Sequence, residues 1–237
     1  RKLALTSAAN ACICVRHFLR FLYRTRRIAT DLAPAVIGPT LRHMLKRPPE
    51  RVSWAALKRI LGAIDRTKPI GKRDFAIFIT AASYGWGAAD VLSLRLDDID
   101  WYRNTLSIVR PKTGVRIEVP LRPQVAHALA KYLQTARPTN TGKREVFLRH
   151  YAPWGKVPTT TSIESNLRRY AEKAGIPFPP KYSMKVFRCA HIAEQLNRGI
   201  PPKVVVEVVG HSDTRSISRY AGINIEQLRC CALPVPK

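Results

Sequence analysis

Helical patterns, interrupted once by a hairpin, constrain the fold of this chain more than any other feature. Residues 101–109 and 115–121 are typical of strands, and a Pro-Lys-Thr-Gly turn at residues 111–114 joins them. A short third strand is expected at residues 146–148. Apolar residues at helical spacing predict helices over residues 6–27, 36–45, 53–64, 73–84, 88–94, 124–135, 163–174 and 183–198. The chain is therefore predicted to be mainly α-helical with a small antiparallel β-sheet, an α+β fold.

Serines and prolines mark where helices begin and where domains divide. Ser53 and Ser183 are the predicted N-caps of two helices. Prolines and charged residues indicate a linker at residues 48–52. A chain of 237 residues is long enough for one large domain or two smaller ones. We expect a small helical domain over residues 1–47 and a larger domain over residues 53–237.

The charge balance indicates a polyanionic partner. Lysine and arginine number 41 against 16 acidic residues, which gives a formal net charge of +25. Nucleic acid is the first candidate and an anionic membrane surface the second. The first 51 residues contain only two acidic residues, so a surface that follows DNA phosphates is favoured over a merely solvated one. The candidate DNA-binding residues are Arg16, Arg20, Arg24, Arg26 and Arg27.

Several classes of protein are not indicated. No run of about eighteen apolar residues is present, so no membrane-spanning helix is expected. The first residues lack the pattern of a secretion signal. The five cysteines (Cys12, Cys14, Cys189, Cys230 and Cys231) lack the spacing of a zinc site, so free thiols in a reducing cytoplasm are expected. Because there is no glycine-rich phosphate loop either, neither a metal nor a cofactor is predicted.

A histidine and a tyrosine near the C-terminus suggest phosphoryl transfer. His211 follows a glycine at the end of the apolar run over residues 204–209, and Tyr220 lies nine positions further along. Arg188 lies in an upstream helix, and Lys112 lies in the hairpin turn. A tyrosine accompanied by a histidine, an arginine and a lysine is suited to forming a covalent intermediate with a phosphate. The plainer alternative is that Tyr220 only contributes to packing.

Several segments follow one another along the chain, at residues 73–77, 84–94, 97–101, 112–114, 187–188 and 209–212, and Tyr220 comes after them. In order and in spacing, they resemble the motifs of the tyrosine recombinases, the phage integrase family, over nearly the whole chain. The basic N-terminal helices resemble part of the core-binding domain of that family. The matching segments are residues 73–77, 84–94 and 97–101 for the first motif, residues 112–114 for the catalytic hairpin, and residues 187–188, residues 209–212 and Tyr220 for the second motif and the nucleophile.

The resemblance implies a fold and an assembly. It implies a C-shaped clamp around duplex DNA, in which residues 1–47 are part of the core-binding domain and residues 53–237 are the catalytic domain. A dimer or tetramer on DNA is expected, with related recombinases as further partners. The expected location is the cytoplasm of a bacterium or of a phage host cell.

The resemblance also implies roles for the residues of the site. Tyr220 would attack a DNA phosphodiester and form a 3′-phosphotyrosyl link without ATP or a metal. Arg188 would donate hydrogen bonds to the non-bridging oxygens, and His211 would bind or polarise the phosphate. Lys112 would protonate the leaving 5′ oxygen.

Two positions depart from the family pattern. Gly87 stands where the first motif carries an arginine, and Lys185 stands where the second carries a histidine, three residues before Arg188. Glycine offers no side-chain donor to a phosphate, so slow or absent cleavage is expected unless another cation reaches the site. The alternative is that glycine serves a backbone with positive φ. His191, one turn beyond Arg188, is expected to be a half-buried packing residue.

Three functions remain open at this point. The first is a site-specific DNA recombinase or integrase whose chemistry is impaired. The second is a catalytically inactive DNA-binding homologue that acts as an accessory protein in recombination or transposition. The third is a basic RNA-binding or ribosome-associated protein, which the ordered set of residues ending in Tyr220 disfavours.

Overall fold

The chain divides into two units, Arg1–Pro49 and Glu50–Lys237, in a computed structural model. The structure describes four stretches of the chain, residues 5–39, 52–139, 141–179 and 182–209. In the smaller unit, helix α1 runs over Leu5–Arg24, close to its predicted bounds. A 3-10 turn at Ala33–Ala35 packs against it.

The second helix expected in the smaller unit, over residues 36–45, does not begin at residue 36. Residues 36–39 are not helical, and Val36 has an extended backbone with φ −75° and ψ 99°. The glycine before Pro39 explains part of this, because a residue that precedes proline is disfavoured in the helical region. Residues 40–45 lie outside the described stretches.

Within the described stretches, the larger unit contains seven α-helices and one three-stranded sheet. The helices are α2 (Trp54–Gly62), α3 (Pro69–Tyr84), α4 (Ala88–Leu92), α5 (Pro123–Thr135), α6 (Thr160–Lys173), α7 (Lys185–Asn197) and α8 (Pro202–Val209). The antiparallel strands are β1 (Ile99–Asp100), β2 (Thr105–Val109) and β3 (Arg116–Pro120), in the order β1-β2-β3. The prediction of a mainly helical fold with a small antiparallel sheet is confirmed.

The third strand is not at residues 146–148, where the sequence predicted it. This segment is buried, and the N–H of Val146 donates a hydrogen bond to the carbonyl oxygen of Leu94 at 2.8 Å, outside any strand. The guanidinium of Arg137 donates to the carbonyl oxygens of Glu145 and Val146 at 2.9 and 3.2 Å. Carbonyl groups occupied in this way are not available to a strand ladder. β1 takes the third place in the sheet instead.

The predicted strand over residues 101–109 begins later than expected, with the first residue of β2. Before it, the carboxylate of Asp100 accepts hydrogen bonds from the backbone N–H groups of Tyr102 and Arg103, at 3.0 and 2.8 Å. Asn104 follows with a left-handed φ of 53°. Aspartate and asparagine favour such turns because their side chains bond nearby backbone groups. The chain therefore turns here and joins β1 to β2.

Of the two predicted N-caps, one is confirmed. The hydroxyl of Ser53 accepts a hydrogen bond from the N–H of Ala56 at 3.1 Å at the start of α2. The N-cap of α7 is Met184, which makes no side-chain hydrogen bond. Ser183 lies one residue earlier, and its hydroxyl accepts a hydrogen bond from the N–H of Lys185 at 3.3 Å. The prediction of Ser183 as the cap was therefore wrong by one residue.

α3 lies at the centre of the larger unit and packs against α5 and α7. Most of α3 is buried, and Ala76, Ile77 and Phe78 are fully buried. Phe78 stacks on Phe187 of α7 with ring centroids 5.7 Å apart. This contact between the two helices brings the C-terminal end of α3 beside Arg188, the next residue of α7.

Neither a membrane span nor a metal-binding cluster is present in the described stretches. No helix in them is long and apolar enough to cross a membrane. They contain no group of three or more His, Cys, Asp or Glu side chains that could hold a metal ion. Three of the five cysteines, Cys12, Cys14 and Cys189, lie in these stretches and form no disulfide there.

Candidate active site

The turn after α3 provides a backbone carbonyl that holds Arg188. Gly85 ends α3 in the left-handed conformation, with φ 65°. A Cβ at this position would lie 3.1 Å from the ring of His191, so both the backbone and the packing require glycine. The carbonyl oxygen of Gly85 accepts a hydrogen bond from Arg188 Nε at 2.7 Å. The turn thereby fixes one edge of the guanidinium.

One carboxylate oxygen, Oδ2 of Asp90, lies at the centre of the site. It accepts hydrogen bonds from the backbone N–H of Gly87 and from Arg188 Nη2, each at 3.0 Å. Arg110 Nη2 lies 3.9 Å from the same oxygen. We call the side chains of Asp90, Arg110 and Arg188 the Asp90 cluster. Because two guanidiniums surround one carboxylate, the cluster has a surplus positive charge that favours an anion.

The Asp90 cluster is mostly buried and is most exposed at Arg188. The exposed fractions of the side chains are 6% for Arg110, 11% for Asp90 and 21% for Arg188. Burial lowers the pKa of the Arg110 guanidinium, the attraction of Asp90 opposes this, and the repulsion from Arg188 adds to it. An arginine nevertheless keeps its charge in a protein. A fixed positive charge in a partly dry site interacts more strongly with a phosphate than it would in water.

Gly87 lies at the edge of the cluster and has an ordinary backbone. It is the N-cap of α4, with φ −78° and ψ 168°, which any residue can adopt. A Cβ there would lie 3.4 Å from Arg188 Nη2 and 3.4 Å from Asp90 Oδ2, which is ordinary van der Waals contact. The positive φ considered from the sequence is therefore not found. Position 87 has room for a side chain, which would begin next to the cluster.

The two lysines predicted for the site are exposed. Lys112 lies in the turn between β2 and β3, two residues after Arg110. Lys185 is the first residue of α7 and precedes Arg188 by three residues. This spacing places both side chains on one face of the helix.

The other two predicted catalytic residues, His211 and Tyr220, lie outside the described stretches. The chain that leads to them is held at the Asp90 cluster, because Arg110 Nη2 donates a hydrogen bond to the carbonyl oxygen of Val209. Val209 is the last residue of α8 and precedes His211 by two positions. The structure therefore joins the end of α8 to the same arginine that approaches Asp90.

His191 is a packing residue, and it is more deeply buried than expected. It is 4% exposed, and its Nδ1 donates a hydrogen bond to the carbonyl oxygen of Ala82 at 3.0 Å. Burial lowers the pKa of the imidazole more than this hydrogen bond raises it, and nearby Arg122 lowers it further. The ring is therefore neutral near pH 7 and supports the turn at Gly85 by contact.

Two members of the cluster carry different signals in the sequence. Asp90 lies within the segment that resembles the first motif. Its position three residues after Gly87 is the spacing of a carboxylate that accepts from the N-cap N–H. Asp90 was not named as a site residue from the sequence, although this spacing could have identified it. Arg110 has no comparable signal, because the direction of its side chain depends on how the hairpin packs beside α8.

In the smaller unit, the predicted DNA-binding arginines differ in their contacts. Arg16 is half-buried and donates to the carbonyl oxygen of Val36 from Nε and Nη2, at 3.0 and 2.7 Å. It therefore holds the chain after the 3-10 turn against α1. The exposed members of the set are Arg20, Arg24, Arg26 and Arg27.

Known proteins match this chain in sequence. Residues 50–227 match the phage integrase family. The chain is 35% identical over 236 residues to the integrase/recombinase y4rA of Sinorhizobium fredii, which covers 99% of this chain and 56% of y4rA. It is 28% identical over 228 residues to the tyrosine recombinase XerD of Lacticaseibacillus casei, which covers 95% of this chain and 75% of XerD. The chain thus spans little more than half the length of y4rA.

A solved structure matches the fold. The crystal structure of a lambda integrase dimer fragment bound to a COC′ core site aligns with a TM-score of 0.70 and 16% sequence identity. The alignment covers 93% of this chain and 74% of that chain. At this identity the likeness concerns the fold alone.

Proposed function

Because the chain belongs to the phage integrase family, we propose that it is a site-specific tyrosine recombinase, which cuts and rejoins duplex DNA. The observation that carries this proposal is the Asp90 cluster, in which Arg188 and Arg110 surround one carboxylate and leave positive charge for a phosphate. Donors that are fixed before the substrate arrives stabilise the charge that develops on a phosphate under attack.

In the proposed mechanism the hydroxyl oxygen of Tyr220 attacks the scissile phosphorus and loses its proton to solvent. A bond forms between the tyrosine oxygen and the 3′ phosphate, and the bond to the 5′ oxygen breaks. Lys112 gives a proton to that oxygen, which leaves as a 5′ hydroxyl. The 5′ hydroxyl of another strand then attacks the phosphotyrosine and releases Tyr220. Since the covalent link keeps the energy of the broken bond, neither ATP nor a metal is needed.

Three further side chains serve the phosphate. Arg188 donates to its non-bridging oxygens from a planar guanidinium, which Gly85 and Asp90 already orient. His211 binds or polarises the same phosphate. Lys185 adds positive charge one turn before Arg188, but an ordinary lysine is a poor acid–base group near neutral pH.

We propose duplex DNA as the partner and a dimer or tetramer on that DNA as the active assembly. The net charge of +25 and the exposed arginines of α1 fit a phosphate backbone. The lambda integrase with the matching fold is a dimer bound to DNA. Copies of this chain, or of a related recombinase, would fill the other positions. The protein would act in the cytoplasm of a bacterium or of a phage host cell.

The missing side-chain donor at Gly87 is expected to make cleavage slow. It is also the reason for a second candidate function. Loss of one fixed donor in comparable sites costs about 100- to 1,000-fold in rate. If the remaining rate is negligible, the protein is a catalytically inactive DNA-binding homologue that acts as an accessory protein in recombination or transposition. The two functions differ in one product, a covalent protein–DNA adduct.

The test is to capture that adduct. Labelled duplexes of randomised sequence, each with a nick that lets the cleaved fragment diffuse away, are incubated with the protein. Adducts that survive denaturation are isolated and sequenced. A recombinase gives adducts enriched in one site, while Tyr220→Phe gives none and still binds DNA, because phenylalanine keeps the ring and removes the nucleophilic oxygen.

Two other outcomes would contradict parts of the proposal. DNA binding without adducts, both from the chain and from Gly87→Arg, would leave only the accessory function. Unfolding of Tyr220→Phe would indicate that the tyrosine hydroxyl serves the fold. Thermal unfolding of each variant separates these two cases.

A further inference from the structure

Arg110 fixes the turn that carries Lys112. It follows β2 directly, and its N–H donates a hydrogen bond to the carbonyl oxygen of Val115 at 2.9 Å. Its own carbonyl oxygen accepts from the N–H groups of Thr113 and Gly114, at 3.3 and 2.9 Å. The backbone of Arg110 therefore closes the hairpin at its tip, and any displacement of Arg110 also displaces Lys112.

The side chain of Arg110 points away from that tip into the site. It is 5% exposed, and its Nη2 donates to the carbonyl oxygen of Val209, two residues before His211. The same nitrogen lies 3.9 Å from Asp90 Oδ2, the oxygen that Arg188 also contacts. One guanidinium is thus placed between the hairpin, the first motif and the end of α8.

Arg110 and position 87 border the same carboxylate oxygen. A Cβ at position 87 would lie 3.4 Å from Asp90 Oδ2, so a longer side chain there would begin beside the Arg110 guanidinium. Because Gly87 contributes no side chain, the positive charge on this side of Asp90 comes from Arg110. Arg188 is hydrogen-bonded to Asp90 Oδ2 at 3.0 Å, and the guanidinium of Arg110 is the second positive charge beside this oxygen.

We propose that Arg110 is a catalytic residue, which supplies the second guanidinium that position 87 lacks and binds the scissile phosphate together with Arg188. The inference rests on the proposed recombinase function. It gives a role to the second of the two guanidiniums that border Asp90 Oδ2. It also predicts that the chain cleaves DNA slowly but measurably, and that the remaining rate depends on Arg110.

The test compares Arg110→Gln in two backgrounds, the chain as it stands and the Gly87→Arg variant. Adduct formation is measured in a single turnover at saturating DNA, on the nicked duplex selected from the randomised pool. In the unaltered background the substitution lowers the rate by about 100- to 1,000-fold. In the Gly87→Arg background the loss is smaller than about tenfold, because another guanidinium binds the same phosphate.

A purely structural role for Arg110 gives a different result. If Arg110 only holds Val209 in place, the rate falls by the same factor in both backgrounds, and the inference is overturned. Arg116→Gln is the matched control, because Arg116 lies on the same hairpin, is exposed and donates to Ser107 Oγ at 3.3 Å. It is expected to leave the single-turnover rate unchanged.

A second variant keeps the inference testable if Arg110→Gln does not fold. Arg110→Lys retains the charge but loses the planar fork, and it lowers the rate on normal DNA. A methylphosphonate at the scissile position is neutral and replaces one of the two non-bridging oxygens that a planar guanidinium can bind together. The cost of Arg110→Lys then shrinks to less than about tenfold if Arg110 faces the phosphate. An unchanged cost on the neutral substrate overturns the inference.

The remaining outcomes separate this inference from the function on which it rests. Adducts from Gly87→Arg but none from the unaltered chain overturn the role of Arg110 and leave the recombinase function standing. Adducts from neither protein overturn the recombinase function itself. Adducts that form from Arg110→Gln as fast as from the unaltered chain overturn the role of Arg110 alone.

Discussion

Two clusters of arginine and aspartate in the larger unit use the same chemistry for different ends. In the first, Asp74 accepts hydrogen bonds from Arg73, at 2.8 and 2.9 Å, from Asn166 at 2.8 Å and from the Tyr170 hydroxyl at 3.0 Å. Both charged side chains are at most 1% exposed. The Asp90 cluster instead places two guanidiniums around one carboxylate and is partly open to solvent.

The difference shows how charge balance separates a structural ion pair from a binding site. Arg73 and Asp74 cancel each other, and neighbouring side chains fill the carboxylate's remaining positions. Burial raises the pKa of Asp74, while Arg73 and the hydrogen bonds from Tyr170 and Asn166 oppose this. In the Asp90 cluster two guanidiniums border one carboxylate, and we propose that an anion completes it. We infer that the first cluster serves stability and the second serves phosphate chemistry.

The largest expected effect is on stability and comes from the closed cluster. Asp74→Ala leaves Arg73 buried without its partner, which costs about 3–5 kcal/mol in the free energy of unfolding. Denaturant unfolding measures it. Asp97→Ala is the control, because Asp97 pairs with Arg144 at the surface, where an ion pair contributes far less to stability than a buried one. Equal losses from the two variants would mean that the closed cluster has no special structural role.

The next effect is on the rate and comes from the open cluster. Arg188→Gln removes donors to the phosphate and is expected to slow adduct formation by about 100- to 1,000-fold. Its loss of stability should be smaller than that of Asp74→Ala, because Arg188 is partly exposed. Arg198→Gln, at an exposed ion pair with Glu194 at the end of α7, is the control. If Arg188→Gln unfolds the protein as readily as Asp74→Ala, the two clusters do not differ in kind.

A smaller effect is expected from His150, which lies within the influence of the closed cluster. Burial, together with the positive charge of Arg73, lowers the pKa of His150 to about 4. Protonation therefore favours the unfolded chain, where an ordinary histidine has a pKa of about 6.5. His150 therefore does not affect the free energy of unfolding above about pH 6.5, and it lowers this free energy as the pH falls toward about 4.

The comparison of His150→Gln with the unaltered chain checks this pH dependence. Between about pH 7 and about pH 4, the free energy of unfolding should fall less for His150→Gln than for the unaltered chain. Some dependence remains in both, because burial also lowers the pKa of His191. Identical pH profiles for the two proteins would show that neither burial nor the charge of Arg73 lowers the pKa of His150.

The smallest effect is on the salt dependence of DNA binding and concerns two arginines of α1. The guanidinium of one is bound within the protein, and that of the other is exposed. Arg20→Gln should reduce the slope of log affinity against log salt by about 0.9, because one phosphate contact is lost. Arg16→Gln should leave the slope unchanged, because its guanidinium is bound to the carbonyl oxygen of Val36. Binding to a random duplex over a range of salt concentrations measures both. The reverse order of effects would contradict the assignment.

The parts of the fold that were predicted correctly from the sequence are those set by residues close together in the chain. The hairpin was predictable because its strands and turn lie close together in the chain, and Ser53 because a cap bonds within one turn. Residues 146–148 were misread as a strand because Leu94, far earlier in the chain, and the side chain of Arg137 take up the local hydrogen-bonding groups. A short apolar run alone does not reveal such partners.

In the candidate site, too, residues within sequence motifs could be predicted, while contacts between separate elements could not. Gly87 and Arg188 were identified because they lie in motifs that can be read from the sequence. Arg16 was grouped with the exposed arginines of α1, although Val36 occupies its guanidinium. Arg110 could not be identified, because its contacts with Asp90 and Val209 come from three separate elements of the fold.

The most direct test of the central claim compares adduct formation by the unaltered chain and by Gly87→Arg, with Tyr220→Phe as the blank. If the open cluster is a phosphate site that lacks a donor at position 87, Gly87→Arg raises the single-turnover rate. The gain is at least about tenfold and stays within the limit of about 1,000-fold set by a complete missing donor. The backbone at Gly87 suits any residue, and a Cβ there would lie 3.4 Å from its nearest neighbours, Arg188 Nη2 and Asp90 Oδ2. A folded Gly87→Arg protein that binds DNA and cleaves it no faster than the unaltered chain would contradict the claim.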